Sequence, residues 1–293
     1  MVKTNSASSS RPKARNGFVE AWHGLRKNKM AVVGGVILLV FILCAIFAEF
    51  IAPYPYDEQN WEHLLEAPSA QFIMGTDAYG RDIFSRIVYG SRISLMVGFI
   101  AVSLAALVGG TIGAMAGYFR GRLDNVLMRL MDILLAIPSI LLAIAIVNIL
   151  GPSLTNVMIA VGLSSVPSYA RIVRAAVLSI RDSEFIEAAV ATGDGTAAII
   201  LHNILPNCLA PIIVQATLGV ASAILSAAGL SFLGLGLQPP SPEWGAMLSE
   251  GRQYIYNAWW ATTCPGLAIV LIVLALNLFG DGLRDALDPK LKQ

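Results

Sequence analysis

The sequence predicts an all-α integral membrane protein of six transmembrane helices. Three observations carry this. Of the 293 residues 56% are hydrophobic and only 13% charged, about half the charged share of an ordinary soluble domain. The apolar residues lie in long charge-free runs, which are interrupted by short polar stretches. Sixteen of the twenty Lys and Arg fall in segments that a six-span topology with an inner N-terminus places on the inner side. That is the bias expected of cytoplasmic loops. The net charge of +1 argues against an electrostatic nucleic-acid binder.

The N-terminal tail, residues 1–30, is basic, with Lys3, Arg11, Lys13, Arg15, Arg26, Lys27 and Lys29. Ala31 to Ala48, with Phe50 to Ala52, carries enough apolar length for a first span over 31–52, since about 20 residues cross a bilayer. It is longer than a signal-peptide core, so we expect it to be retained. Pro53 and Pro55 end it. Residues 53–92 form an outer segment. Within it Ile83, Phe84, Ile87 and Val88 repeat at helical spacing, which predicts an interfacial helix, with Asp77 as its upstream cap.

Ile93 to Phe119 is charge-free and predicts span two. Ala105, Gly109, Gly113 and Gly117 recur every four residues, a ridge suited to close helix packing. Arg120, Arg122, Asp124 and Arg129 read as a short charged loop. Ile133 to Ala170 is long enough for two spans, with a turn at Gly151-Pro152-Ser153 and a kink at Pro138. Arg171, Arg174 and Arg181 return the chain to water.

Next comes a polar island, with Arg181, Asp182, Glu184, Glu187 and Asp194. A charge at mid-membrane costs roughly 2.5–3.5 kcal/mol, so this stretch belongs in water. It holds a short helix, expected over about 183–197 and capped by Asp182 or Ser183. Glu184 and Glu187 suit the positive end of its dipole, and Ala189 and Gly193 share a face if the helix runs through both. Span five follows, from about Asn207 to Ala228. Gly229 to Pro240 is apolar but rich in Gly and Pro, which predicts a loop dipping back towards the membrane. Trp244, Tyr254, Tyr256, Trp259 and Trp260 read as an interfacial aromatic belt. Ala261 to Gly280 is span six, and residues 284–293 are an inner C-terminal tail.

Glu187-Ala188-Ala189, three residues, Gly193, nine more, and a closing Asn203-Ile204-Leu205-Pro206 resemble the EAA motif of ABC importer permeases. Two departures stand beside it: Asn203, where the motif usually carries a hydrophobic residue, and Gly195 after Gly193-Asp194, where a helix is expected to end or bend. Gly75-Thr76-Asp77, Gly80-Arg81-Asp82, Ser85-Arg86, Gly90, Arg92 and Ser94-Leu95 are similar to the outer segment of the C-type permease subunit of dipeptide and oligopeptide importers. So are Leu230 to Gly236, Pro242 to Leu248 and Gly280 to Asp285.

The resemblance implies a type I ABC importer permease fold, with a five-helix core over 93–283. It implies ATP-driven uptake of di- or oligopeptides across the cytoplasmic membrane of a prokaryote, with both termini in the cytoplasm. Glutathione, nickel or another small solute are alternative cargoes within the same architecture. The implied partners are a second, B-type permease, two ABC ATPases, an extracytoplasmic solute-binding protein and membrane lipid. Glu187, Ala188, Ala189, Gly193, Leu205 and Pro206 would couple to the ATPase. Gly75, Thr76, Asp77, Gly80, Arg81, Asp82 and Arg86 form the outer motif.

The chain itself has no Gly-rich phosphate loop, so ATP and Mg are expected on the partner subunits and no cofactor or metal here. Cys44, Cys208 and Cys264 lack metal-ligand spacing and read as buried spectators. His202 reads as a packed or solvated residue. An embedded enzyme is the rival class, yet no nucleophile–base or paired-carboxylate constellation falls within the spans, and His23, His63 and His202 are far apart. A self-contained channel or secondary transporter would carry ionisable groups in its spans. The polar groups here, Asn148, Asn156, Gln215 and Asn277 among them, suit hydrogen bonds between helices. A path without charges discriminates poorly, which moves selectivity to the binding protein.

Overall fold

A computed structural model describes residues 24–287. The tail basics Lys3, Arg11, Lys13, Arg15, Lys290 and Lys292, and His23, lie outside the described residues. Within them the chain is helical, with one isolated bridge between Thr76 and Asp82. The helices are α1 (Lys29–Ile46), α2 (Ala48–Ile51), α3 (Ile83–Phe119), α4 (Gly121–Leu135) and α5 (Ser139–Leu150). They continue with α6 (Leu154–Ile180), α7 (Glu184–Ala191), α8 (Leu209–Phe232), α9 (Trp244–Gly251) and α10 (Trp260–Leu287). Residues 196–208 lead into α8 through one α-turn, a π-type stretch and a 3-10 turn.

Among the described residues four helices are long and apolar enough to cross a membrane: α1, α3, the run Thr196–Phe232 and α10. The pair α4 and α5 makes a fifth if its two halves count as one span.

The core is built on α3 and α6. Gly109, Gly113 and Gly117 let their backbones meet. A Cβ on Gly109 would lie 2.5 Å from the Val166 carbonyl, one on Gly113 would overlap the Ala170 carbonyl, and one on Gly117 would press on Val177. The expected small-residue ridge is therefore the seam of this pair. Around it α8 packs on α3, α6 and α10, while α1 lies against α10 and α3. Half of the α1 residues are exposed, all but Lys29 of them apolar, and only Ala31 and Gly34 are buried, as suits a lipid-facing helix.

Outside the coupling stretch, the structure departs from the sequence reading in five places. First, no separate interfacial helix exists. Ile83 opens α3, which runs unbroken to Phe119, because Arg86 and Arg92 find partners instead of ending it. Its cap is Asp82, whose carboxylate accepts from the Ser85 N–H at 2.7 Å, and not Asp77. Second, the charged stretch after Arg120 is no loop but the amphipathic helix α4, with Asp124 and Met131 turned inward. Third, Pro138 does more than kink a span: α4 and α5 meet at 89°. The twelve residues of α5 reach only about 18 Å. The turn at Gly151 forms as expected, with Gly151 at φ +90° and Ser153 capping α6 through the Asn156 N–H.

Fourth, α8 continues through Gly229 to Phe232 before the chain loops, and the loop over 233–243 leads into the short helix α9. Glu243 caps α9 by accepting from the N–H groups of Gly245 and Ala246 at 3.0 and 2.8 Å. Burial pushes its carboxyl above the ordinary range, against the pull of those two donors. Fifth, the aromatic cluster is divided. Tyr256 is 97% exposed, but Trp244 is fully buried and Trp260 nearly so. Their indole N–H groups donate to the carbonyls of Ile87 and Thr76, each at 3.1 Å. Two of the five are thus interior struts.

Candidate functional site

The polar island becomes α7 and its flanks. Ser183 occupies the cap position, but its hydroxyl makes no capping bond. Its carbonyl starts the helix by accepting from Ile186 and Glu187. Asp182 points elsewhere and pairs with Arg120 at 2.6 Å. Glu184 and Glu187 stand exposed in the first turn, where the helix dipole favours them.

One side chain fastens this helix to the body. Ile186 is buried in a cluster with Ala114 of α3, Val173 and Val177 of α6, and Ile199, Ile204 and Cys208 of the lead-in to α8. Ala189 and Leu205 pack on the edge of the same cluster. The first and last parts of the motif are therefore joined through Ile186, which sequence reasoning passed over as an ordinary apolar residue.

The helix ends at Ala191. The Gly193 N–H reaches the Val190 carbonyl and the Asp194 N–H reaches that of Ala189, both at 3.1 Å. This is the paired-bond termination that favours glycine in a left-handed conformation, and Gly193 sits at φ +87°. Ala189 and Gly193 consequently do not share a helical face. The expected stretch 183–197 holds a helix over Glu184–Ala191, a turn, and a new start at Thr196.

Outward α7 presents Glu187, Ala188, Val190 and Phe185, the last two 55% and 47% exposed. Tyr118, Phe119, Arg181, Asp182, Ile186, Glu187, Val190 and Ala191 line a recess of about 460 Å³ beside it. Among the described residues, their own chain neighbours aside, nothing comes within 4 Å of a Cβ on Gly193 or Gly195. Pro206 sits exposed in the first turn of the 3-10 segment, where its missing N–H is no loss. A short helix with an exposed apolar and small-residue face, keyed to three core helices by one buried Ile, can receive a push from outside and pass it inward. Exposed His202 keeps its ring nitrogen near the Ala198 carbonyl. No group of three metal-type ligands exists among the described residues.

The outer motif is gathered at the other end of α3. Thr76, Arg81, Asp82 and Arg86 are all buried. The Asp77 carboxylate accepts from the N–H groups of Tyr79 and Arg81 and from Arg81 Nε at 2.6 Å. Arg81 also donates to Glu250 of α9 at 2.5 Å. Arg86 reaches the carbonyls of Tyr56, Pro240 and Ser241 at 3.3–3.4 Å and lies 3.5 Å from Glu250. Thr76 ties the preceding loop by donating to the His63 carbonyl and accepting from the Glu66 N–H.

Gly75 and Gly80 both have positive φ. A Cβ on Gly80 would overlap the Asn60 carbonyl. Two arginines and two carboxylates thus form a neutral lattice that pins the outer segment and the loop before α9 to the start of α3. Glu250, the far partner, carries no motif signal in sequence.

Residues 109–293 match the family model described as the binding-protein-dependent transport system inner membrane component. Residues 18–68 match the N-terminal TM domain of oligopeptide transport permease C. The chain is 56% identical to the dipeptide transport system permease protein DppC of Alkalihalophilus pseudofirmus, over 93% of this chain and 90% of that one. It is 49% identical to that of Escherichia coli K12, over 97% of each. It is also 44% identical to the glutathione transport system permease protein GsiD of Pectobacterium atrosepticum, over 95% of this chain and 93% of that one. Among solved structures, an inward-facing MetNI methionine ABC transporter aligns with a TM-score of 0.57 at 22% identity, covering 69% of this chain and 96% of that one. That last likeness speaks for the fold alone.

Proposed function

This chain belongs to the family of binding-protein-dependent transport system inner membrane components, and on that premise we propose that it is the C-type permease subunit of an ATP-driven importer of di- and oligopeptides. The identity to dipeptide permeases, 47–56% over 93–97% of the chain, carries the reading. The family model and the membrane-spanning helices make it a multi-pass inner membrane protein.

In this reading the spans are six: α1 with α2, α3, α5 with its bent neighbour α4, α6, Thr196–Phe232, and α10. The 27 residues of α6 measure about 40 Å, and its two arginines lie near the inner end. Both termini and α7 face the cytoplasm, as the distribution of Lys and Arg favours. A B-type permease stands beside this chain, two ABC ATPases below it and a solute-binding protein outside. ATP and Mg belong to the ATPases, and this chain catalyses no reaction.

The exposed face of α7, with Glu187, Ala188, Val190 and Gly193, receives the ATPase. Ile186 transmits its displacement to α3, α6 and the 199–208 segment. Their two arrangements, open inward and open outward, are biased by where the coupling helix sits. The outer lattice of Asp77, Arg81, Arg86 and Glu250 serves as the rigid end against which the helices tilt. The 44% and 46% identity to glutathione permeases makes glutathione the second cargo to test.

The experiment is site-directed cross-linking. Cysteine at Ala188, in an otherwise intact complex, should form an adduct with the ATPase subunit, and cysteine at Tyr256 should not. Equal capture from both positions would refute the docking assignment.

A further inference from the structure

We infer that three arginine–aspartate pairs, two from α6 and one from the approach to α7, fasten α4 to the coupling machinery, so that Asp124 and Arg174 are positioning residues for transport. The inference rests on the permease reading above and deepens it. Arg174 of α6 donates from Nε and Nη2 to the two carboxylate oxygens of Asp124 in α4, both at 2.6 Å. Asp124 is only 7% exposed. Eight residues along α4, Asp132 accepts from Arg171 of α6 at 2.6 Å. At the near end Arg120, just before α4, donates to Asp182, just before α7, at 2.6 Å. Beside the Asp132 rung Met131 is buried against Val166 and Ala170.

The arrangement follows the chain. Three residues, 181–183, separate the end of α6 from α7. A displacement of α7 therefore pulls first on the end of α6 that carries Arg171 and Arg174. The parallel two-bond fork between Arg174 and Asp124 fixes direction as well as distance, so α4 must follow. The outer pairs are exposed and add little energy, but they fix register at both ends of the helix. Beyond Asp132 the chain turns 89° at Pro138 into α5. The ladder thus joins the cytoplasmic helix to α5 through α4, a second route beside the direct packing of α5 on α6.

The test uses the complete complex with its binding protein in proteoliposomes, and reads ATP hydrolysed per labelled dipeptide imported. Asp124→Asn and Arg174→Gln should each raise that ratio roughly tenfold, within the ~5–150-fold range of couplings between sites, with complex assembled in normal amount. The swapped pair, Asp124→Arg with Arg174→Asp, should bring the ratio back towards wild type. A single variant that assembles and keeps the wild-type ratio, even at lower total activity, overturns the inference and leaves the pairs as scaffold. A swapped pair that assembles but is as uncoupled as the single variants overturns it too.

If the buried-site variants fail to assemble, Asp132→Asn decides. This exposed rung should raise the ratio two- to threefold, by roughly 0.4–0.65 kcal/mol at RT ln of that factor, and an unchanged ratio overturns the inference. Wild-type complex that imports neither dipeptide nor glutathione refutes the importer reading, and the ladder falls with it. Wild-type import with fully coupled variants refutes the ladder alone.

Discussion

Gly193 separates backbone strain from docking in one position. It terminates α7 at φ +87°, so any L-residue there pays roughly 1–2 kcal/mol for the left-handed conformation. Packing adds nothing to that term, because among the described residues no atom beyond its own chain neighbours lies within 4 Å of a Cβ built there. Gly193→Ala and Gly193→Arg therefore share the backbone term and differ only in what projects outward. Expressed as a population, that term bounds the loss for Ala at roughly 5–30-fold. Gly193→Asn, which tolerates positive φ, should lose less than Ala. Arg adds a long charged side chain on the face assigned to the ATPase and should exceed the bound, with import lost and ATPase no longer retained on the purified complex.

The assay is ATP-driven uptake of labelled dipeptide by the reconstituted complex, with subunit stoichiometry measured on the same sample. Arg and Ala variants of equal activity would show that Gly193 acts through its backbone alone, and the docking argument would be wrong.

Three further outcomes follow from the packing. Glu250→Gln leaves Arg81 and Arg86 buried against a single carboxylate. Breaking such a pair costs about 3–5 kcal/mol, so thermal unfolding of the purified complex should begin markedly lower, and a midpoint within about a degree of wild type would contradict the lattice. Gly113→Val drives a side chain into the Ala170 carbonyl and should cost at least ~1–3 kcal/mol, seen as poor yield of folded protein in the membrane. Gly110→Ala, whose Cβ would meet only Val173 at 4.0 Å, should be harmless. Trp244→Phe removes the bond to the Ile87 carbonyl for about 1 kcal/mol, whereas Trp244→Ala empties a buried site for about 3–5 kcal/mol. Similar unfolding midpoints for the two would mean Trp244 is not the strut described.

Charge-free runs located the helices well, and the glycine ridge pointed to a close-packed seam. Their ends were harder to read, because a charge ends a span only when it has no partner. Arg92 donates to the Ala45 carbonyl at 2.9 Å and Arg86 to three loop carbonyls, so α3 starts ten residues before its charge-free run. Asp124 and Arg129 looked like loop residues for the same reason, since the partner of Asp124 lies fifty residues downstream. Trp244 and Trp260 looked like belt residues because sequence does not show which carbonyl an indole will reach. In the coupling stretch the motif residues were legible, but the anchor, Ile186, was not. One Ile among many becomes distinctive only when three helices close around it. The end of α7 was half legible: Gly195 was the expected break, and Gly193 is where the chain turns.

Uptake in cells lacking this chain tests the central claim most directly. Labelled dipeptide, glutathione and nickel should be offered in parallel. The account predicts that dipeptide uptake is lost, that the intact chain restores it and that the Gly193→Arg chain does not. Dipeptide uptake that is indifferent to the chain, with glutathione or nickel uptake lost instead, would contradict the peptide assignment.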